Sequence, residues 1–165
     1  AICCDDPVLI IEYGGLFQTK GLVPKSDFDY IVPFGKARLV RPGAACTVLT
    51  YGSVILETMA AVEATGVDAE VIDLRTLDPM GVDWDMIGES LSRTNRIMIA
   101  EETTRGTSIG AHLVKQIQER FFDDLDHEIV HVSGTHSSPV VSKVLERAAL
   151  AKREEIAAGL NLLVR

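Results

Sequence analysis

The most constraining feature of the sequence is a regular alternation of strand-like and helix-like segments from residue 46 to the end. The strand-like runs are short and rich in branched apolar residues: CTVLTYG (46–52), AEVIDL (69–74), RIMIAE (96–101) and EIVHVS (128–133). Strands that alternate with helices form a parallel or mostly parallel sheet with helices on both faces. The sequence therefore predicts an α/β fold.

Capping residues give approximate bounds for the first helices. Ser53 is expected to cap a helix that runs to about Thr65, where Gly66 would end it. Asp83 is expected to cap a second helix, and the pattern predicts a third over about 109–122.

Two further helices are predicted near the end of the chain. Pro139 suits the first turn of one helix, whose inward-facing residues are expected to be Val140, Val141, Val144 and Leu145. The tail after residue 151 is predicted to form another helix, weakened by Gly159.

The first 43 residues follow a different pattern. PVLIIEY (7–13) is strand-like, and residues 14–35 are rich in Gly and Pro without a period, which indicates a linker between domains. KARLVRPG (36–43) is expected to form a strand that ends at a Pro-Gly turn. The chain does not begin with Met, so we expect a piece of a longer protein.

Composition excludes several classes of function. Sixteen basic and twenty-four acidic residues give a net charge of −8, which argues against binding nucleic acid or anionic lipid. No apolar run approaches the roughly 20 residues that span a bilayer, so no membrane partner is expected. Cys3, Cys4 and Cys46 do not form a disulfide framework. The amino terminus lacks the positive flank of a secretory signal, and we expect an intracellular, reduced location.

Charged residues at strand ends are candidate sites, and each has a simpler structural explanation. In DLRTLDP (73–79), Asp73, Arg75 and Asp78 either hold a substrate or form a local ion pair and cap. The structural interpretation is favoured. In TYGS (50–53), a capped corner is favoured over an anion site.

The residues after the third strand are the next candidate. Glu101 and Glu102 are adjacent, so their side chains should point to opposite faces rather than share one acid–base site. One is expected to face Arg105. His136 has the best chance of a polar role among the histidines, with Ser137 or Ser138 capping the helix that follows.

An acidic loop, FFDDLDHE (121–128), precedes the fourth strand. It is either a solvated connection or a docking patch for a basic partner, and composition alone does not decide between them.

Several motifs together resemble one family. DDPVLIIE, VPFGKARLVRPG, CTVLTYGS, AEVIDLRTLDP, RTNRIMIAEE, SIGAHL and FDDLD follow the order seen in the C-terminal half of the beta subunit of thiamine-diphosphate-dependent 2-oxo-acid dehydrogenases. These are the decarboxylating components of the pyruvate, branched-chain and acetoin complexes, within the transketolase group.

The resemblance implies an organisation. Residues 1–13 would be the last strand of a pyrimidine-binding domain, residues 14–35 an interdomain linker, and residues 36–165 a transketolase C-terminal domain. That domain is a five-stranded, mostly parallel sheet with helices on both faces.

The resemblance also implies a function. The complete enzyme would decarboxylate a 2-oxo acid oxidatively on thiamine diphosphate with Mg²⁺ and pass the acyl group to lipoamide, in the cytoplasm of a bacterium or the mitochondrial matrix. The cofactor lies between the alpha subunit and the other half of the beta subunit, so none is expected on this chain, and no catalytic residue is assigned to it.

This domain would contribute to an α2β2 tetramer and bind the basic peripheral-subunit-binding domain of the acyltransferase. The docking aspartate of the family matches Asp126. Two alternatives stay open: the C-terminal domain of another transketolase-group enzyme, and a free-standing α/β ligand-binding module with its site near Tyr51, Glu102 and His136.

Overall fold

The computed structural model describes residue 1 and residues 4–27, 29–136 and 141–165. The chain divides into two units, residues 1–30 and residues 31–165. The first unit contains a short 3₁₀ helix, Gly14–Gln18, and no strand among its described residues. The strand expected within PVLIIEY (7–13) is therefore not formed here, and Leu9, Ile10 and Ile11 are exposed. An apolar run without neighbouring strands has no ladder to complete.

The second unit is built on a five-stranded sheet. Its strands are β1 (Arg38–Arg41), β2 (Cys46–Thr50), β3 (Ala69–Asp73), β4 (Ile97–Ala100) and β5 (Val130–Val132). They lie in the order β1-β3-β2-β4-β5. Only β1 pairs antiparallel, with a register shift between Leu39 and Arg41; the other pairs are parallel. The predicted five-stranded, mostly parallel sheet is confirmed.

The described residues form five α-helices. They are α1 (Val54–Thr65), α2 (Trp84–Thr94), α3 (Ile109–Phe121), α4 (Lys143–Ala149) and α5 (Arg153–Leu163). Gly66 ends α1 in the left-handed conformation, with a φ of 69°. Asp83 caps α2 by accepting a hydrogen bond from the Met86 N–H. Both features are as predicted. A 3₁₀ turn, Phe122–Asp124, follows α3.

The alternation of side chains along β2 divides the core into two layers. Val48 packs in one cluster with residues of α1 and α5, such as Ala61 and Leu160. Thr47 points to the other face, where its hydroxyl hydrogen-bonds Ser90 and Thr94 of α2. Successive side chains of a strand point to opposite faces, so both faces of this sheet are covered.

Gly159 allows α5 to lie close to the sheet. A Cβ atom at this position would lie 2.8 Å from Met98 Sδ and 3.2 Å from Val130 Cγ1. The sequence predicts a weakened helix here, but α5 is continuous through Gly159. The missing side chain permits the close approach of helix and sheet.

Two details of the helix predictions are wrong. The side chain of Ser53 does not cap α1. Its hydroxyl group instead donates a hydrogen bond to a carboxylate that follows β4. In α4 no residue is buried, and Val141, Val144 and Leu145 are exposed rather than inward-facing. Pro139 and Val140, predicted to lie in the same helix, fall outside the described residues.

Candidate functional site

The carboxyl ends of β2 and β4 form the point where the strand order reverses. The chain passes from β2 to β3 on one side, and β4 lies on the other side of β2. Open α/β sheets place ligands in the crevice at this position. Here the crevice is bridged, because the Tyr51 hydroxyl donates a 2.8 Å hydrogen bond to Glu101 Oε2.

Glu101 is the centre of a buried polar network. Its side chain is fully buried. Besides Tyr51, it accepts a 3.0 Å hydrogen bond from the Gly110 N–H at the start of α3. Its other oxygen lies 2.6 Å from His131 Nε2 on β5. The carboxylate therefore ties together β2, β4, β5 and the first turn of α3.

The network controls the protonation of Glu101. Burial raises the pKa of this carboxyl, but hydrogen bonds from His131, Ser108, Tyr51 and Gly110 lower it further than burial raises it. The net pKa lies below the ordinary value of 4.5. Donors around a carboxylate stabilise its charged form, so Glu101 is ionised near neutral pH.

Glu102 has a different partner, as the prediction of opposite faces requires. Ser53 donates its hydroxyl hydrogen bond to Glu102 Oε2. The two carboxylates do not share one site. Within the described residues, neither glutamate forms the expected hydrogen bond or ion pair with the Arg105 side chain. The backbone N–H of Arg105 donates to Thr135 O.

The DLRTLDP segment is a structural corner. Arg75 Nε lies 3.8 Å from Asp73 Oδ2, and its backbone N–H donates to Asp73 Oδ1. Arg75 has a φ of 55°, which is uncommon for a residue other than glycine, and the aspartate turn holds it there. Burial raises the pKa of Asp73 despite the bonds from Arg75. The ion pair favoured by the sequence is present.

The histidine that joins the buried polar network is not the one that the sequence singles out. His136 is exposed after β5, whereas His131 pairs with Glu101. The signal for His131 was its position between two valines of a strand, where an apolar residue is usual. Ser137 and Ser138, proposed as helix caps, lie outside the described residues.

The acidic loop (residues 121–128) lies at the opposite, amino-terminal end of the parallel strands, before β5 begins. The Asp126 N–H donates a 2.8 Å hydrogen bond to Asn95 O, and Asn95 Nδ2 donates to Asp124 O at 2.9 Å. Asn95 ends α2 in the left-handed conformation. The backbone around Asp126 is therefore fixed.

The side chain of Asp126 is available for a partner. The residue is exposed, and within the described part of the chain no hydrogen bond or ion pair involves its carboxylate. Asp123 and Glu128 are also exposed. The loop presents solvent-facing negative charge on a backbone that Asn95 holds.

The described residues include neither a candidate metal cluster nor a membrane-spanning helix. No three His, Cys, Asp or Glu side chains lie together in a way that could hold a metal ion. Among the same residues, no helix has the length and apolar character to cross a membrane.

The chain is similar in sequence to a known family and to several named proteins. Residues 35–156 match the family model described as "Transketolase, C-terminal domain". The 2-oxoisovalerate dehydrogenase subunit beta of Pseudomonas aeruginosa is 42% identical over 145 residues, covering 79% of this chain and 41% of that protein. The acetoin:2,6-dichlorophenolindophenol oxidoreductase subunit beta of Cupriavidus necator is 33% identical, covering 96% of this chain and 47% of that protein. The chain thus spans less than half the length of these relatives.

A solved structure shares the fold. It is described as a split-gene transketolase, an inactive beta4 tetramer, and it superposes with a TM-score of 0.68 at 19% identity, covering 82% of this chain and 44% of that one. At this identity, the similarity concerns the fold.

Proposed function

Since the chain belongs to the transketolase C-terminal domain family, we propose that it is the assembly and docking domain of a beta subunit of a 2-oxo-acid dehydrogenase. The full enzyme would decarboxylate a 2-oxo acid oxidatively and transfer the acyl group to lipoamide. The names of the relatives that match most of this chain support this branch of the transketolase group.

Thiamine diphosphate and Mg²⁺ would supply the electron sink for decarboxylation in the complete enzyme. The described residues do not bring together a ligand set for a metal ion. We propose that the alpha subunit and the remaining part of the beta subunit hold the cofactor. The polar network around Glu101 then has a structural role, because its donors are all directed at one carboxylate.

The proposed partners are the alpha subunit, a second beta subunit in an α2β2 tetramer, and the acyltransferase. The single observation that carries the docking role is the geometry of Asp126. Its backbone is held by Asn95 while its carboxylate faces solvent. An exposed carboxylate on a hydrogen-bonded backbone, within an acidic loop, is suited to a cation of the basic peripheral-subunit-binding domain.

A free-standing ligand-binding module is less well supported. Tyr51 and Glu102, which that alternative places in the site, are engaged with Glu101 and Ser53. A ligand at the switch point would have to replace these bonds. Location in the cytoplasm or the mitochondrial matrix follows from the proposed enzyme and is part of the same proposal.

Reconstitution tests this function. Decarboxylation of pyruvate and branched 2-oxo acids would be measured for the 165-residue chain alone and for the alpha subunit mixed with the beta chain that contains these residues. We expect turnover only in the mixture, and only with thiamine diphosphate and Mg²⁺. Turnover by the chain alone, or a clear rise in its melting temperature on adding the cofactor, would contradict the proposal.

A further inference from the structure

One asparagine connects the acidic loop to the rest of the domain. Asn95 Nδ2 donates a 2.9 Å hydrogen bond to Asp124 O, and Asn95 O accepts a 2.8 Å hydrogen bond from the Asp126 N–H. These two bonds lie on either side of Leu125, so one residue holds the backbone on both flanks of that position. Asn95 and Asp124 are 29 positions apart in the sequence, so this is a tertiary contact.

The residue type at position 95 fits two separate requirements. Asn95 ends α2 with a φ of 55°, in the left-handed region. Glycine adopts this conformation freely, and asparagine and aspartate do so more readily than other residues. Glycine would supply the conformation without a side-chain donor, whereas asparagine supplies both. Asparagine is thus suited both to end the helix and to hold the loop.

The chain on both sides of Asn95 is anchored to the sheet. Thr94 is buried, and its hydroxyl lies 2.7 Å from the Thr47 hydroxyl of β2. Arg96 O accepts a 2.8 Å hydrogen bond from the Thr47 N–H, and Arg96 Nη1 donates to Leu163 O at the end of α5. Asn95 therefore links the central strand of the sheet to the acidic loop.

The carboxylate of Asp126 depends on this backbone for its position. Asp126 is exposed, and within the described residues its side chain forms no hydrogen bond or ion pair. The direction of the carboxylate is therefore set by the backbone that carries it. A change at Asn95 can displace this carboxylate without altering the charge of the loop.

We propose that Asn95 is a positioning residue for the docking of a basic domain at Asp126, an inference that rests on the function proposed above. Its carboxamide holds the backbone at Asp124 and its carbonyl holds the backbone at Asp126, so the Asp126 carboxylate lies in place for the partner's cation. Long-range attraction depends on the charge of the loop and governs association, whereas the close ion pair governs dissociation. Loss of the Asn95 side-chain bond therefore raises the dissociation rate and leaves the association rate unchanged.

The binding rates of a peripheral-subunit-binding domain test the role of Asn95. Surface plasmon resonance would measure them for the beta chain that contains these residues and for its Asn95→Gly variant. This variant keeps the left-handed backbone and the carbonyl acceptor but loses the donor to Asp124. Ser92→Ala is the matched control, because Ser92 is exposed on the same helix and its hydroxyl donates a 2.9 Å hydrogen bond to a backbone carbonyl within α2. Melting temperatures check that each variant is folded.

For Asn95→Gly we expect a dissociation rate about fivefold or more above that of the unaltered chain, with an association rate within about twofold. Ser92→Ala should leave both rates within about twofold of the unaltered chain. If Asp126→Asn loses affinity but Asn95→Gly leaves the dissociation rate unchanged, the inference is overturned while the proposed function stands. If the unaltered chain does not bind the domain, both are overturned.

Two further variants separate positioning from charge and from a general loss of structure. Asn95→Asp adds a negative charge beside the loop but directs a carboxylate oxygen at Asp124 O. Positioning predicts that it binds the basic domain more weakly, whereas charge alone predicts tighter binding. In the Asp126→Asn background, Asn95→Gly should change the dissociation rate by less than about twofold, because the carboxylate that it positions is gone. Tighter binding by Asn95→Asp, or an equal effect of Asn95→Gly in both backgrounds, would overturn the inference.

Discussion

Tyr51 and Glu101 are joined by a 2.8 Å hydrogen bond that crosses from the end of β2 to the end of β4. Both side chains are buried. The bond lies at the position where an α/β sheet of this kind usually opens to a ligand. In this domain the position is closed by its own side chains, which agrees with a role in support and docking.

Removing the Tyr51 hydroxyl should destabilise the domain. Tyr51→Phe leaves Glu101 with one donor fewer in a buried position, and we expect a loss of about 2 kcal/mol in the free energy of unfolding, as for a bond to a charged group. Urea denaturation measures it. Tyr30→Phe is the control, because Tyr30 is 57% exposed. Removing its hydroxyl group should lower the free energy of unfolding by less than about 0.5 kcal/mol. Equal effects at the two positions would contradict the assignment.

The ionisation of Glu101 should make stability depend on pH in the acid range. Its pKa in the folded state lies below the ordinary 4.5, so the native state binds this proton less readily than the unfolded state. The contribution is complete above about 4.5 and is lost as the pH falls through the folded-state pKa.

The comparison of wild type with Glu101→Gln between pH 3 and pH 7 tests this dependence. Glu101→Gln should be the less stable protein at pH 6, and the difference should shrink as the pH falls. Asp73 has the opposite effect on the pH dependence of stability, because burial raises its pKa. Since Asp73 is present in both proteins, its contribution cancels in the difference between them. A difference that stays constant across the range would contradict the account.

Much of the fold follows from local sequence signals. Asp83 as the cap of α2 and Gly66 as the end of α1 were predicted because each acts on backbone groups within a few residues. The alternation of strands and helices predicted the parallel sheet for the same reason.

The contacts that the sequence did not predict join residues far apart in the chain. His131 reaches Glu101 across thirty positions, and Ser53 reaches Glu102 rather than the adjacent helix end. The apolar residues of α4 predicted that this helix packs against the core, but none of its residues is buried. Periodicity identifies an apolar face, and it does not say whether the same chain or another covers it.

Gly159 offers a test in which two effects have opposite signs. Helix propensity alone predicts that Gly159→Ala stabilises the protein by about 1 kcal/mol. The added Cβ would lie 2.8 Å from Met98 Sδ and 3.3 Å from Val132 Cγ2, in a buried layer where overpacking costs about 1–3 kcal/mol. We expect a net loss of about 1 kcal/mol, measured by chemical denaturation. The control, Ala158→Gly at an exposed position of α5, gives the propensity term alone. A stabilised Gly159→Ala would show that close packing is not the reason for the glycine.

Titration calorimetry with a peripheral-subunit-binding domain is the sharpest test of the proposal that this domain docks an acyltransferase through Asp126. The titrations use the beta chain that contains these residues, its Asp126→Asn variant, and Asp123→Asn as a control in the same loop. We predict that Asp126→Asn weakens binding by about 2 kcal/mol or more, while Asp123→Asn changes it by less than about 1 kcal/mol. Unchanged affinity on Asp126→Asn, or no binding by the unaltered chain, would contradict the account.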